Sequence, residues 1–522
     1  MWFAVLLVCV ALAARFIPGP RNIDDSFITF RYARNILAGN GFLYNPGERV
    51  LGTTTPLYTS AMVLVGALSG GTQAPFPWLA LGLNAVADAI TCLLLLWLGR
   101  RLRAPVVGVS TALVWAIAPF SVTFAIGGLE TSVYVLLLTA AVSANLAGKR
   151  KTAAGLAALA FLTRPDALIL LALLGVERFR ELIFPVQGDQ RSLSMRLRAL
   201  LPELAWFVIP IMLWLVFSTL YFGSPLPHSI AAKSVAYRQS AEAGLVRLIQ
   251  HYATPFQENN LFGNLWNGLG FVVNLFLFTL GARRLLRSER QVWPWLAYPW
   301  VYFIVFAAAN PLIFRWYMTP PLPPYMFVIL AGLERLLGGG QQQLAGARIQ
   351  ARKKLAVALR GMLLVGLPVA LSLTGWSWKL DHGATRPAPE MAWIKLELLY
   401  RQAAGLISPQ MAAAATPPVL AAGDVGVLGF YTPSIILDTV GLNSPLTLEY
   451  YPLDEALFVI NYAVPADLIL DQLPDYIVLL EVYIRNGLLQ DPRFAQHYTL
   501  LHKLPTDIYG SDGMLIFTRR TP

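Results

Sequence analysis

Two adjacent acids, Asp24 and Asp25, stand just past the first apolar segment of this 522-residue chain. Two close carboxylates push one pKa up and can divide a task. One can take a proton from a hydroxyl, or the pair can share a divalent cation, Mg or Mn. The plainer role is a helix N-cap with a solvated acid beside it, which costs little at a membrane surface. Arg315, in the run Phe-Arg-Trp-Tyr, sets a guanidinium beside Trp316 and Tyr317. That grouping suits a phosphate, and equally an arginine snorkelling among belt aromatics. Lys233 and His228 share one polar loop. The lysine reads as a phosphate clamp or an interfacial lysine, and the histidine could orient a sugar hydroxyl or a phosphate. Glu130 follows Gly127-Gly128-Leu129 and opens an apolar stretch, where the helix dipole favours an acid whatever its role. Arg164 and Asp166 flank Pro165, and broken helices at membrane depth line cavities.

The rest of the chain is mostly what must hold these groups. It is 56% hydrophobic and 13% charged, with mean hydropathy +0.56. A soluble protein carries about 25% charged residues, so this reads as a polytopic membrane protein. The net charge of +11 is spread in short clusters between apolar segments. That is the positive-inside pattern and does not make a nucleic-acid face. Cys9 and Cys92 lie inside apolar stretches, which argues against a disulfide framework. Residues 1–18 read as a retained first helix, without a basic n-region or an evident cleavage site.

Asp25 is expected to cap a short amphipathic helix from Ser26, with Ile28, Tyr32 and Ile36 on one face and Gly39 and Gly41 ending it. The stretch 56–68 is short of the ~20 residues a span needs, and charge bias makes it re-entrant or interfacial. Spans are then expected near 76–98, 105–125, 129–147, 152–163, 166–178, 203–221, 262–282, 292–309, 318–337 and 356–377. The pair around Pro165 would be two half-helices. Basic clusters at 100–103, 149–151, 178–198, 283–290 and 348–354 fall on one side, the cytoplasm. The acid loop (19–75), Glu130, Arg164–Asp166, the 222–261 loop and 310–317 fall on the other. About eleven spans result.

Residues 1–379 thus form a transmembrane domain. Residues 380–522, with β-rich runs at 434–437, 476–480 and 514–518, form a small extracytoplasmic α/β domain.

Several blocks resemble a family. Asp24-Asp25-Ser-Phe-Ile-Thr-Phe-Arg-Tyr, Gly39-Asn-Gly41, Asn45-Pro-Gly-Glu-Arg-Val and Gly52-Thr-Thr-Thr-Pro-Leu-Tyr look like the N-terminal signature of a group of GT-C fold glycosyltransferases. The best-known member of that group is the terminal arabinofuranosyltransferase of actinobacterial cell walls. Gly128-Leu-Glu-Thr, Leu162-Thr-Arg-Pro-Asp, Tyr221-Phe-Gly-Ser-Pro-Leu-Pro, Arg315-Trp-Tyr, Gly423-Asp-Val-Gly426 and Asp438-Thr-Val-Gly-Leu-Asn443 agree in order. The resemblance implies sugar transfer, usually inverting, from a polyprenyl-phosphate carrier to a glycan, lipid or protein acceptor outside the cytoplasm of a bacterial plasma membrane. It implies an acid in the first outer loop as base, which by position maps to Asp24 with Asp25 as the alternative. It also implies cations on the lipid phosphate, here Arg315 and Lys233 with Arg164 and His228 behind them. Glu130, Asp166, Arg31, Tyr32, Trp316 and Tyr317 are the candidate substrate contacts. A transporter or flippase would instead need midplane charges and an internal repeat. Asp88 is the one clear midspan acid, and no repeat is evident. A non-catalytic envelope assembly protein would leave Asp24, Asp25 and Arg315 dispensable.

Overall fold

The computed structural model describes residues 2–184, 192–257, 263–338, 357–377, 388–389 and 393–520. The expected basic cluster at 348–354, part of that at 178–198 and the domain boundary at 379/380 lie outside these residues.

The apolar first segment forms α1 (Trp2–Phe16). Its Arg15 is fully buried and pairs with Asp88 at 3.0 Å. Trp115 Nε1 and Ser132 Oγ donate to the same carboxylate at 3.0 and 2.9 Å. Asp88 therefore joins helices, and its charge is met by one cation and two neutral donors.

After α1 come α2 (Asp24–Leu37) and α3 (Pro56–Ala67). α2 begins two residues before the expected start, with Ile23 in the capping position, so Asp25 lies in its first turn and is not its cap. The twelve residues of α3 rise about 18 Å, well short of a ~30 Å hydrocarbon core.

Next are α4 (Phe76–Arg101), α5 (Pro105–Ile117), α6 (Pro119–Ile126), α7 (Thr131–Leu146), α8 (Arg150–Thr163) and α9 (Leu168–Ile183). The expected single span over 105–125 is broken by Pro119, with a 41° bend between α5 and α6. α8 and α9 meet at a 3-10 turn, Pro165–Ala167, as two half-helices. α10 (Leu193–Phe222), α11 (His228–Ala236), α12 (Ala243–Ala253), α13 (Asn264–Ser288), α14 (Trp293–Ala309), α15 (Leu322–Gly338) and α16 (Leu367–Leu373) complete the helical region. α13 and α15 pack backbone to backbone. A Cβ on Gly281 would stand 2.0 Å from the Val328 carbonyl oxygen, the close approach that small residues permit between membrane helices.

Among the described residues four helices are long and apolar enough to cross a membrane, five if the bent α5–α6 pair counts as one span. A count near eleven requires the shorter apolar helices to cross as well.

The chain then forms the short antiparallel pair β1 (Trp376–Ser377) and β2 (Ala388–Pro389), followed by α17 (Trp393–Ala412). A five-stranded sheet follows, in the order β4-β3-β5-β7-β6. Its strands are β3 (Val419–Ala422), β4 (Ile435–Asp438), β5 (Tyr476–Leu480), β6 (Tyr498–Leu504) and β7 (Met514–Arg519). β3 pairs in parallel with β4 and β5, while β7 runs antiparallel to both β5 and β6. The strands expected at 434–437, 476–480 and 514–518 are β4, β5 and β7. The helix α18 (Gly426–Tyr431) links β3 to β4.

The core of this sheet is continuous with the acid loop. Phe27, Phe30, Tyr32 and Tyr44 belong to the same buried cluster as Leu420, Leu428, Ile477 and Ile516. The first loop is therefore built into the sheet domain.

Candidate functional site

The loops expected on one face do converge. Ile23 N–H donates to the Gly127 carbonyl at 2.9 Å, and His228 N–H donates to the Leu51 carbonyl at 2.8 Å. Tyr58 Oη donates to the Gly128 carbonyl at 3.0 Å. Two of the expected basic clusters, 100–103 and 283–290, meet elsewhere, with Arg101 joined to Glu289 at 2.6 Å.

The acid pair splits into two environments. Both oxygens of Asp24 accept backbone N–H bonds at 2.7 Å, from Gly426 and Val427 at the start of α18. The carboxylate therefore closes the open end of a helix in the sheet domain. The contact requires glycine, because a Cβ on Gly426 would stand 1.8 Å from the Asp24 carbonyl oxygen. Burial, then the Asp424 charge, push the Asp24 pKa well up, against the two amide donors.

Asp25, one residue on, is half-buried. Among the described residues its carboxylate makes no hydrogen bond or ion pair. Its charge acts on Lys233, Tyr237 and Asp424. Asp424 comes from the turn before α18. Burial raises its pKa to about 6, opposed by the Tyr400 hydroxyl, which donates to it at 2.8 Å.

α11 supplies the facing wall. Ser229, Lys233 and Tyr237, spaced by four, lie along one side of it and its C-terminal flank. The Lys233 ammonium sits 5.1 Å from the Phe314 ring centre. Burial works against its charge, yet the Tyr317 phenol and the Asp25 carboxylate hold its pKa above the ordinary value. His228 Nε2 and Ser229 Oγ are buried without a hydrogen-bond partner among the described residues. Two idle polar atoms on the helix that carries Lys233 mark a place for a polar ligand. Sequence reasoning passed over Ser229, Tyr237 and Asp424. Only the Gly423-Asp-Val-Gly426 match pointed toward the last.

The other candidates divide. Arg315, Trp316 and Tyr317 form a 3-10 turn. Trp316 stacks on Phe314 at 4.7 Å. Arg164 is buried and already neutralised, by Glu130 at 3.2 Å and Asp166 at 3.0 Å. Its guanidinium also lies 4.6 Å from the Tyr317 ring. These three charges brace the broken helix. Arg31 and Tyr32, expected as substrate contacts, are buried in the joint with the sheet domain. Arg31 donates to the Gly429 and Ser434 carbonyls at 2.6 and 2.8 Å, and Tyr32 Oη donates to the Val50 carbonyl at 2.8 Å. They hold the loop in place.

The acid pair does not form a ready metal cradle. Both Asp24 oxygens are engaged, and among the described residues no group of three or more His, Cys, Asp and Glu could hold an ion.

Residues 395–517 match the family model described as "Domain of unknown function" (DUF8728). The chain is 32% identical over 146 residues to the terminal beta-(1->2)-arabinofuranosyltransferase of Mycobacterium tuberculosis, covering 26% of this chain and 23% of that protein. It is 27% identical over 295 residues to the enzyme of the same name from Corynebacterium glutamicum, covering 52% and 39%. The chain thus spans less than two fifths of the length of the curated relatives it matches. Over its whole length it is similar to the crystal structure of ArnT from Cupriavidus metallidurans bound to undecaprenyl phosphate. The TM-score is 0.55 at 15% identity, covering 98% of this chain and 96% of that one. This chain shares the fold of ArnT and resembles in sequence the terminal arabinofuranosyltransferases.

Proposed function

We propose that the chain is an integral-membrane, inverting glycosyltransferase that uses Asp25 as its general base. The observation that supports this best is the contrast within the acid pair. Asp24 is consumed by two amides, whereas Asp25 is a carboxylate without a partner among the described residues, close to the Lys233 ammonium. In the reaction the acceptor hydroxyl gives its proton to Asp25 as its oxygen bonds to the anomeric carbon. The bond from that carbon to the carrier phosphate breaks, and the electron pair leaves on the phosphate. Lys233 and Arg315 meet that developing charge, while His228 and Ser229 bind donor or sugar oxygens. Proton abstraction contributes roughly 10² to 10⁴ in rate, and orientation with leaving-group stabilisation supplies the rest.

The carrier is a polyprenyl phosphate, the ligand type named for the ArnT structure. The donor sugar is a pentose or hexose. The acceptor is a cell-envelope glycan, lipid or protein on the outer face of a bacterial plasma membrane. No step is routed through a metal. The test is a panel of polyprenyl-phosphate sugars offered to the purified chain in detergent, with lipid and glycan products read by mass spectrometry. Turnover of one donor that Asp25→Asn lowers by roughly 10² to 10⁴ is the expected result, and turnover unchanged in Asp25→Asn overturns the assignment.

A further inference from the structure

At the end of the helix bundle away from Asp25 lies an open cavity of about 450 Å³, lined by Leu102, Arg103, Arg284, Arg287, Ser288 and Arg335. Its size is that of a small-ligand site. The lining comes from the chain just past α4 and from the last turns of α13 and α15. Helix C-termini attract cations, which accounts for each arginine singly but not for four around one cavity.

The acids nearby are already engaged. Glu334 is buried and pairs with Arg284 and with Arg360. Glu289 holds Arg101 at 2.6 Å. Arg103, Arg287 and Arg335 have no ion pair or hydrogen bond among the described residues. Arg103 is held with φ 55°, a left-handed turn that side-chain-bearing residues seldom adopt. Ser288 Oγ is buried and has no hydrogen-bond partner among the described residues. The site therefore combines unanswered positive charge with an idle hydroxyl donor. A phosphate oxyanion answers both, since guanidinium forks bind phosphate oxygens in pairs.

The surroundings favour a lipid as the source of that phosphate. α13 exposes Leu269, Val272 and Phe276 at 53%, 61% and 55%. The same helical stripe runs on through Arg283 to Arg287. An apolar face open to the bilayer thus leads to the cationic cavity, as an acyl chain leads to its headgroup. We propose that this cavity is a binding site for the phosphodiester headgroup of an anionic glycerophospholipid, separate from the Asp25 site.

The experiment uses the full chain purified in mild detergent with mixed phosphatidylglycerol and phosphatidylcholine, and native mass spectrometry to count retained lipids. Wild type is expected to retain phosphatidylglycerol preferentially. The triple variant Arg103→Gln/Arg287→Gln/Arg335→Gln should lose about tenfold of that preference. Arg100→Gln, at the same bundle end but outside the cavity, should keep it. Arg287→Gln alone, measured in parallel, carries the test if the triple variant does not fold. Equal preference in wild type and Arg287→Gln overturns the proposal. So does displacement of the lipid by millimolar inorganic phosphate, which would make the cavity a site for the free anion.

Discussion

The Asp24 carboxylate accepts a 2.7 Å hydrogen bond from the Gly426 amide, a residue 402 positions later. Its second oxygen takes the Val427 amide at the same distance. The first acid of the pair therefore belongs to the joint between the acid loop and the sheet domain, and the second is the one proposed as base. The two Asp→Asn variants should separate accordingly. Asp25→Asn should lose roughly 10² to 10⁴ in turnover with an unchanged Tm. Asp24→Asn should lose about 1–3 kcal/mol of stability, because its new NH2 group faces an amide donor. Thermal unfolding and single-turnover transfer on the same samples distinguish them. A Tm loss confined to Asp25→Asn reverses the assignment.

Gly426→Ala tests the same joint from the other side. The added Cβ would stand 1.8 Å from the Asp24 carbonyl oxygen and 2.9 Å from its carboxylate, so α18 must move away from α2. Overpacking of this kind costs about 1–3 kcal/mol. Increased protease cleavage between the acid loop and the sheet domain is the expected readout. Gly405→Ala, where a Cβ meets open space, is the control and should cleave as wild type does.

What the sequence made legible were local features. The acid pair, the break at Pro165 and strands β4, β5 and β7 all rest on residue types and short-range pattern. What it hid was non-local or masked by composition. The partners of Asp24 are backbone amides of residues 426 and 427, and an amide has no residue-type signature. Arg31 reads as a substrate cation until its four acceptors, spread from Tyr44 to Ser434, are seen together. β3 is only Val-Leu-Ala-Ala beside an alanine-rich run, so its strand pattern is lost in helix-forming residues. Pro119 sits in an otherwise unbroken apolar stretch, where hydropathy reads a span and only the backbone bend reveals two pieces.

Asp424 should give the chain a measurable pH dependence. Burial, with the Asp25 and Asp438 charges behind it, raises its pKa from the ordinary 3.8 to about 6. The folded state holds the proton more tightly than the unfolded chain. The stabilisation is therefore complete below about pH 4 and lost as pH rises through about 6, a change of about 3 kcal/mol. Asp424→Asn removes that slope. Its stability relative to wild type should rise between about pH 4 and pH 7. Tm values of both proteins across this window check it, and a constant difference contradicts the assignment. Asp438, also buried and raised to about 6, titrates in both proteins, and because its charge acts on Asp424 their interaction is part of the difference that is read.

Arg164 stands between two carboxylates, 3.2 Å from Glu130 and 3.0 Å from Asp166, with all three side chains largely buried. Removing the cation leaves two acids facing one another without compensation. Arg164→Met should therefore destabilise the chain by about 3–5 kcal/mol. The same substitution combined with Glu130→Gln and Asp166→Asn removes the stranded charges and should recover most of that loss. Activity should not return with stability. The guanidinium also lies 4.6 Å from the Tyr317 ring, and Tyr317 helps hold the charge on Lys233. In the stable triple variant the donor KM should rise roughly tenfold, equivalent to about 1.4 kcal/mol of binding, with the acceptor KM little changed. A triple variant with wild-type donor KM would confine Arg164 to bracing the broken helix.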